Sequence, residues 1–177
     1  MIYTPREDSF LLERFVKERV KGRNVLDVGC GSGIQIKAVL KGGAKSVAGI
    51  DVDERSLAFC KGKGLSVLKS DLFENVKRRF DLIVFNPPYL PDDKREDSTS
   101  KKATTGGKKG DEIIVRFLSE VGEHLEKEGI VLLVVSSLTP KEEIERVMKK
   151  EGFRKRILCC ERFFMESLEV WELRRSN

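Results

Sequence analysis

Three short stretches of the chain carry residue types that could hold and orient a reacting group. The first is Asp27-Val28-Gly29-Cys30-Gly31-Ser32-Gly33. Glycine at alternate positions lets a backbone turn sharply and approach a ligand closely. A carboxylate beside such a turn, Asp27, suits a cationic ligand rather than a phosphate. The run has neither the Lys-Ser or Lys-Thr pair of a phosphate-binding loop nor the longer spacing of a dinucleotide fingerprint. The second stretch is a set of acids. Asp51, followed by Val52, lies about 20 residues past the glycines, the spacing at which a carboxylate accepts the hydroxyls of a ribose. Asp71-Leu72 supplies a further acid, placed to accept from an exocyclic adenine amine, while Asp53 is the better candidate for capping the helix that follows Asp51. The third stretch is Asn86-Pro87-Pro88-Tyr89. Paired prolines fix the path of the chain and remove two backbone donors, so nearby carbonyls can serve a ligand's N–H groups. With the Asn86 side chain as acceptor and the Tyr89 ring as a flat face, the tetrapeptide describes a pocket for a planar group bearing an NH2.

These residues act together only if the chain brings them to one edge. From residue 24 onward, short apolar runs at 25–28, 47–50, 66–68, 80–85 and 130–135 alternate with helical segments. That alternation marks a parallel sheet with crossover helices, and the runs are apolar on both faces, as doubly covered strands must be. Ile113, Ile114, Phe117, Leu118, Val121 and Leu125 recur at helical spacing, carrying His124 on a solvent-facing side. Ile144, Val147 and Met148 do the same ahead of a Gly152 stop. Residues 153–162 and 165–173 read as two strands joined too closely for a crossover helix, hence an antiparallel terminal hairpin. Asp8 or Ser9 can cap a helix carrying Phe10, Leu11, Leu12, Phe15 and Val16. Residues 65–70 read as a short third strand, whose Leu65, Val67 and Leu68 would invite strand addition from outside if it stood at a sheet edge. The expected architecture is one α/β domain over residues 1–177. Residues 1–22 form an N-terminal helical extension, and residues 91–110, which lack hydrophobic periodicity, form a mobile substrate loop.

At 177 residues the chain is long enough to bury a continuous core without disulfides or metal staples. Its 36% charged residues exceed the roughly 25% usual for a soluble domain. The net charge of +5 and pI near 9.0 leave an acidic partner such as RNA open. Cys30, Cys60, Cys159 and Cys160 show no CxxC pair and no zinc-ligand spacing, so free thiols and no metal are expected. No basic-then-apolar leader opens the sequence, and no apolar run approaches the roughly 18 residues of a membrane helix. A cytoplasmic protein without a membrane partner is the expectation.

Together these motifs resemble those of class I S-adenosylmethionine-dependent methyltransferases of the Asn-Pro-Pro-Tyr group, and within it the HemK/PrmC-like glutamine methyltransferases. Tyr3-Thr4-Pro5-Arg6-Glu7-Asp8-Ser9 resembles the opening of the short archaeal and eukaryotic branch, and Gly106-Gly107-Lys108-Lys109-Gly110-Asp111-Glu112 resembles that branch's segment after the tetrapeptide. The resemblance implies a Rossmann-like, mostly parallel seven-stranded sheet with helices on both faces and a C-terminal antiparallel hairpin. It implies S-adenosylmethionine as cofactor, held by Ser9, Asp27, Gly29, Gly31, Asp51, Val52, Asp71, Leu72 and Asn86. Asn86, Pro87, Pro88 and Tyr89 would hold the substrate amide, with no covalent intermediate. The implied substrate is the glutamine of the Gly-Gly-Gln motif of a class I release factor, and a small zinc-containing activator pairs with the catalytic subunit in that branch. Bacterial members carry a separate N-terminal docking domain, where this chain has one short helix. The rival reading is a nucleic-acid amino-methyltransferase acting on adenine N6 or guanine N2, because an exocyclic amine on a flat ring fits the same acceptors and the same tyrosine. A non-catalytic cofactor-binding subunit is disfavoured by the intact tetrapeptide.

Overall fold

The computed structural model describes residues 4–90 and 105–176. Its strands are β1 Asn24–Val28, β2 Ser46–Asp51, β3 Val67–Lys69, β4 Phe80–Phe85, β5 Leu125–Ser136, β6 Phe153–Arg162 and β7 Ser167–Arg175. Its helices are α1 Glu7–Arg19, α2 Ile34–Lys41, α3 Glu54–Gly62, α4 Glu112–Glu120 and α5 Glu142–Lys150. The strands form one seven-stranded sheet in the order β3-β2-β1-β4-β5-β7-β6. β1 to β5 run parallel, and β7 lies antiparallel between β5 and β6. This is the mostly parallel seven-stranded sheet that the resemblance implies, with the terminal hairpin where the short connection requires it.

Successive residues of a strand feed opposite cores, which is why the central runs are apolar throughout. Leu26, Ile83, Val131, Leu133 and Trp171 pack with Ile114 and Phe117 of α4 and Ile144 of α5. Val25, Leu82, Val84, Leu132 and Val170 pack on the other side with Leu12 and Val16 of α1 and Val39 of α2. Helix α1 is therefore built into the sheet's cover rather than appended to it. The chain leaves β1 towards β2 on one side and β4 towards β5 on the other. The two loops diverge, and the crevice between them lies at the carboxyl ends of the strands, where open α/β sheets bind ligands.

Four local expectations are corrected. Helix α4 stops at Glu120, a 3-10 turn covers Val121–Glu123, and Leu125 opens β5, paired with Phe80. Strand pairing overrides the helical spacing there, and His124 lies in the connection, half-buried and stacked on Phe73 with ring centroids 4.6 Å apart. The N-cap of α1 is Arg6, without a side-chain cap bond, and Asp8 and Ser9 sit buried in the first turn because tertiary partners take them. The second hairpin strand begins at Ser167, since Met165 occupies the turn at φ 69°. Leu65 is buried beside Cys60 and Ile36, leaving Leu68 of that edge 48% exposed.

Of the expected mobile loop, residues 91–104 lie outside the described residues. Within residues 105–110, Thr105 bridges in parallel to Leu90, and the Gly106 N–H donates to the Leu90 carbonyl at 2.9 Å. No helix among the described residues is long and apolar enough to cross a membrane.

Candidate active site

At the crevice lies a cavity of about 820 Å3, within the roughly 300–1,000 Å3 of pockets that enclose small ligands. One wall is the turn between β1 and α2. The chain leaves β1 through Gly29 at φ 64° and enters α2 through Gly33 at φ 73°, backbone conformations that side chains disfavour. A Cβ at Gly33 would also meet Leu65 Cδ1 at 2.5 Å. The turn is stitched to β2 by the Cys30 N–H donating to the Ile50 carbonyl. It holds Asp51 as well: Gly31 N–H donates to Oδ2 and Asp53 N–H to Oδ1, each at 2.8 Å. Burial raises the Asp51 carboxyl above its ordinary range, against the pull of those two N–H groups.

Asp27 lies deeper, 2% exposed, and its Oδ2 has no hydrogen-bond partner. Burial, then the nearby charge of Asp51, pushes its carboxyl well above the carboxylate range. Gln35 repeats the pattern. Its Nε2 donates to the Ser9 carbonyl at 2.8 Å, and its buried Oε1 has no partner. Such acceptors are costly unless a ligand completes them. At the far end of this wall the Asp71 carboxylate is held by the Arg116 guanidinium at 3.3 Å, and Leu72 is a buried non-glycine residue at φ 48°. Val52 contributes a 53% exposed apolar shelf.

The opposite wall starts where β4 ends. Asn86 donates from Nδ2 to Asp8 Oδ2 at 2.9 Å, while its own Oδ1 is buried without a partner. The Asp8 oxygen takes the NH2 end of the Asn86 amide and so leaves its carbonyl end for something else. Pro87, the next residue, is buried and also lines the cavity. The Tyr89 hydroxyl donates to Glu166 Oε1 at 3.4 Å, and the Tyr89 backbone carbonyl accepts from Thr139 Oγ1 at 3.3 Å, so both ends of the residue are held.

The structure brings Ser9, Asp27, Gly29, Gly31, Asp51, Val52, Asp71, Leu72 and Asn86 through Tyr89 to the lining of this single cavity. It also adds Asp8, Gln35, Thr105, Arg116 and Glu166, to which sequence reasoning gave no role in the site. Asp8 stands in a quoted motif but read as a helix cap. Its partner is 78 positions away, and no local pattern signals that pairing.

The methyltransferase small domain family matches residues 7–162. A protein of Methanocaldococcus jannaschii, assigned by name as a protein N5-glutamine methyltransferase, is 40% identical over 161 residues, covering 86% of this chain and 81% of that one. A chain of the E. cuniculi Mtq2-Trm112 complex, described as responsible for methylation of the eRF1 translation termination factor, superposes with a TM-score of 0.80 at 26% identity over 99% of both chains. The T. thermophilus 16S rRNA N2 G1207 methyltransferase, solved with AdoMet and guanosine, shares the fold at a TM-score of 0.67 and 23% identity, over 98% of this chain and 44% of that one.

Proposed function

Since the chain belongs to the methyltransferase small domain family, we propose that it methylates the side-chain amide nitrogen of a protein glutamine, that of the Gly-Gly-Gln motif of a class I release factor. The observation that carries this reading is Asn86: its NH2 is tied to Asp8 and its buried carbonyl is left as an acceptor in the same cavity as the acid-lined glycine turn. The relative from Methanocaldococcus jannaschii supports glutamine, and the E. cuniculi complex supports a translation termination factor, over a base.

The cofactor is S-adenosylmethionine, and the cavity suits it: Asp27 Oδ2 and Gln35 Oε1 are orphaned buried acceptors beside a turn built to admit a ligand, matching a cationic amino acid moiety. Asp51 would take the ribose hydroxyls on lone pairs that Gly31 and Asp53 leave over, with Val52, Asp71 and Leu72 around the adenine and Ser9 and Gly29 along the methionyl end. When bound, S-adenosylmethionine supplies an activated methyl group on a sulfonium sulfur. An amide nitrogen is a weak nucleophile, because its lone pair is delocalised into the carbonyl, so orientation is the chain's main lever. Asn86 Oδ1 and the Pro87 carbonyl accept from the substrate NH2, Tyr89 supports its plane, and the aligned acceptors favour the positive charge that grows on nitrogen as the new bond forms.

Asp51→Ala is expected to weaken S-adenosylmethionine binding about ten-fold, the loss of one charge-assisted acceptor. Calorimetric titration reads this directly, and unchanged affinity removes Asp51 from the site. For the reaction itself, labelled cofactor is incubated with release factor or with RNA. Label in the Gly-Gly-Gln glutamine supports the proposal, and label in RNA overturns it in favour of a base amine.

The protein is proposed to act in the cytoplasm with a small zinc-containing activator subunit. The E. cuniculi relative, solved as a two-protein complex with Trm112, supports a partner of that kind. The surface that would take it is the edge strand β3, three residues long, where Leu68 is 48% exposed, together with helix α3 packed on it, which carries Phe59 at 37%. Unpaired edge groups beside apolar side chains invite added chain. In sedimentation, the mixture with the activator should move as one heterodimer. A fully active monomer unaffected by the activator would sink this part of the proposal.

A further inference from the structure

We propose that Thr105 is a specificity-determining residue that donates a hydrogen bond to the carbonyl oxygen of the substrate carboxamide. The inference rests on the amide reading of the site and deepens it. A carboxamide presents two donors on nitrogen and one acceptor on an oxygen free of any ring, whereas guanine N2 stands beside the N1–H donor and adenine N6 beside an acceptor fixed within a larger flat ring. Among the described residues, four lining the cavity bury a side-chain polar atom without a hydrogen-bond partner: Asp27 Oδ2, Gln35 Oε1, Asn86 Oδ1 and Thr105 Oγ1. The first two belong to the cofactor wall. Asn86 Oδ1 is the acceptor for the substrate NH2. Thr105 is the member of the set built to donate, and the carboxamide carbonyl is the group still lacking a donor.

The backbone around Thr105 is built to hold it against the tetrapeptide. Thr105 bridges to Leu90, one residue past Tyr89, and the Gly106 N–H donates to the Leu90 carbonyl at 2.9 Å. A Cβ at Gly106 would lie 2.6 Å from the Pro88 carbonyl oxygen, so the absence of a side chain lets this segment close against the Asn-Pro-Pro-Tyr wall. Behind it, the Glu112 carboxylate accepts from the Lys109 and Gly110 N–H groups, each at 3.0 Å, and the Ile113 N–H donates to the Gly106 carbonyl at 3.1 Å. The glycine-rich segment thereby becomes the support of one hydroxyl. A polar group buried to meet a substrate atom discriminates strongly against ligands lacking that atom, because it is otherwise left unpaired.

The test compares wild type, Thr105→Val and Thr105→Ser with labelled cofactor and release factor. Val keeps the shape and removes the hydroxyl. It should raise KM for release factor about ten-fold with kcat within about two-fold, since the bond orients the ground and transition states alike. Ser should restore KM, and cofactor affinity by calorimetry should be the same in all three. If wild type methylates release factor while Thr105→Val keeps its KM, or if Ser does not rescue, or if cofactor affinity falls with KM, the Thr105 assignment alone is overturned. A wild type that leaves release factor unlabelled overturns the amide reading and the Thr105 assignment together.

Discussion

Asn86→Ala is expected to lower turnover roughly 100-fold or more while S-adenosylmethionine affinity changes little, because the lost acceptor acts where charge develops on the substrate nitrogen. The structure extends this expectation to Asp8, which has no direct claim on the methyl transfer. Asp8 Oδ2 accepts from Asn86 Nδ2 at 2.9 Å and so keeps the amide from turning its donors towards the substrate. With Asp8→Ala the amide rotates between two orientations, one of which presents a donor to a donor. The misoriented fraction lowers kcat about two-fold where the two orientations are equally populated and about ten-fold where the wrong one leads by about 1.3 kcal/mol. The two effects do not add. Once Asn86 is alanine there is nothing left for Asp8 to orient, so the second substitution should cost little more, the behaviour of residues acting as a unit. Steady-state kinetics of the two single variants and the double variant measure the coupling. Near-normal turnover of Asn86→Ala would make the tetrapeptide structural, and additive losses would detach Asp8 from it.

Asp27→Asn should lower S-adenosylmethionine affinity by about ten- to one-hundred-fold and at the same time make the ligand-free protein more stable near neutral pH. The affinity loss follows from replacing a charged acceptor for a cationic ligand by a neutral one. The stability gain follows from the direction of the titration. In the unfolded chain Asp27 ionises near the ordinary 3.8, while in the fold burial, and secondarily the charge of Asp51, raises it well above that value. Between those two points the folded protein holds a proton that the unfolded chain has released. The corresponding stability is fully present below the ordinary value and is lost as pH rises through the raised one. Wild type without ligand should therefore melt at progressively lower temperature from mild acid upward. The asparagine variant, with nothing to ionise at that position, should show a flatter profile and the higher melting temperature at neutral pH. Scanning calorimetry across pH, paired with cofactor titration, checks both halves. Parallel melting profiles would refute the buried acid, and equal affinity would release Asp27 from cofactor binding.

The two predictions differ in how they could have been reached. Asp27 and the glycines after it, Asp51, Asp71 and Asn86 through Tyr89 were legible in the sequence, because each follows an apolar run that reads as a strand, and strand ends of a parallel sheet converge on one edge. The strand and helix order, the terminal hairpin and the family resemblance were legible for the same reason: hydrophobic period, glycine and proline are local properties, and each constrains the residues beside it. What only the tertiary structure decided depends on which distant groups meet. Asp8 reads as a helix cap until the packing of α1 against the sheet carries it to Asn86, 78 positions on. Arg116 is one more charge on a helix until α4 lays it beside Asp71, and Leu125 reads as the end of that helix until pairing with Phe80 draws it into β5. Thr105 stands in a stretch without periodicity, where backbone bonding to Leu90 settles its place. Local propensities are worth tenths of a kcal/mol to about one per residue, so burial and strand pairing overrule them wherever the two disagree.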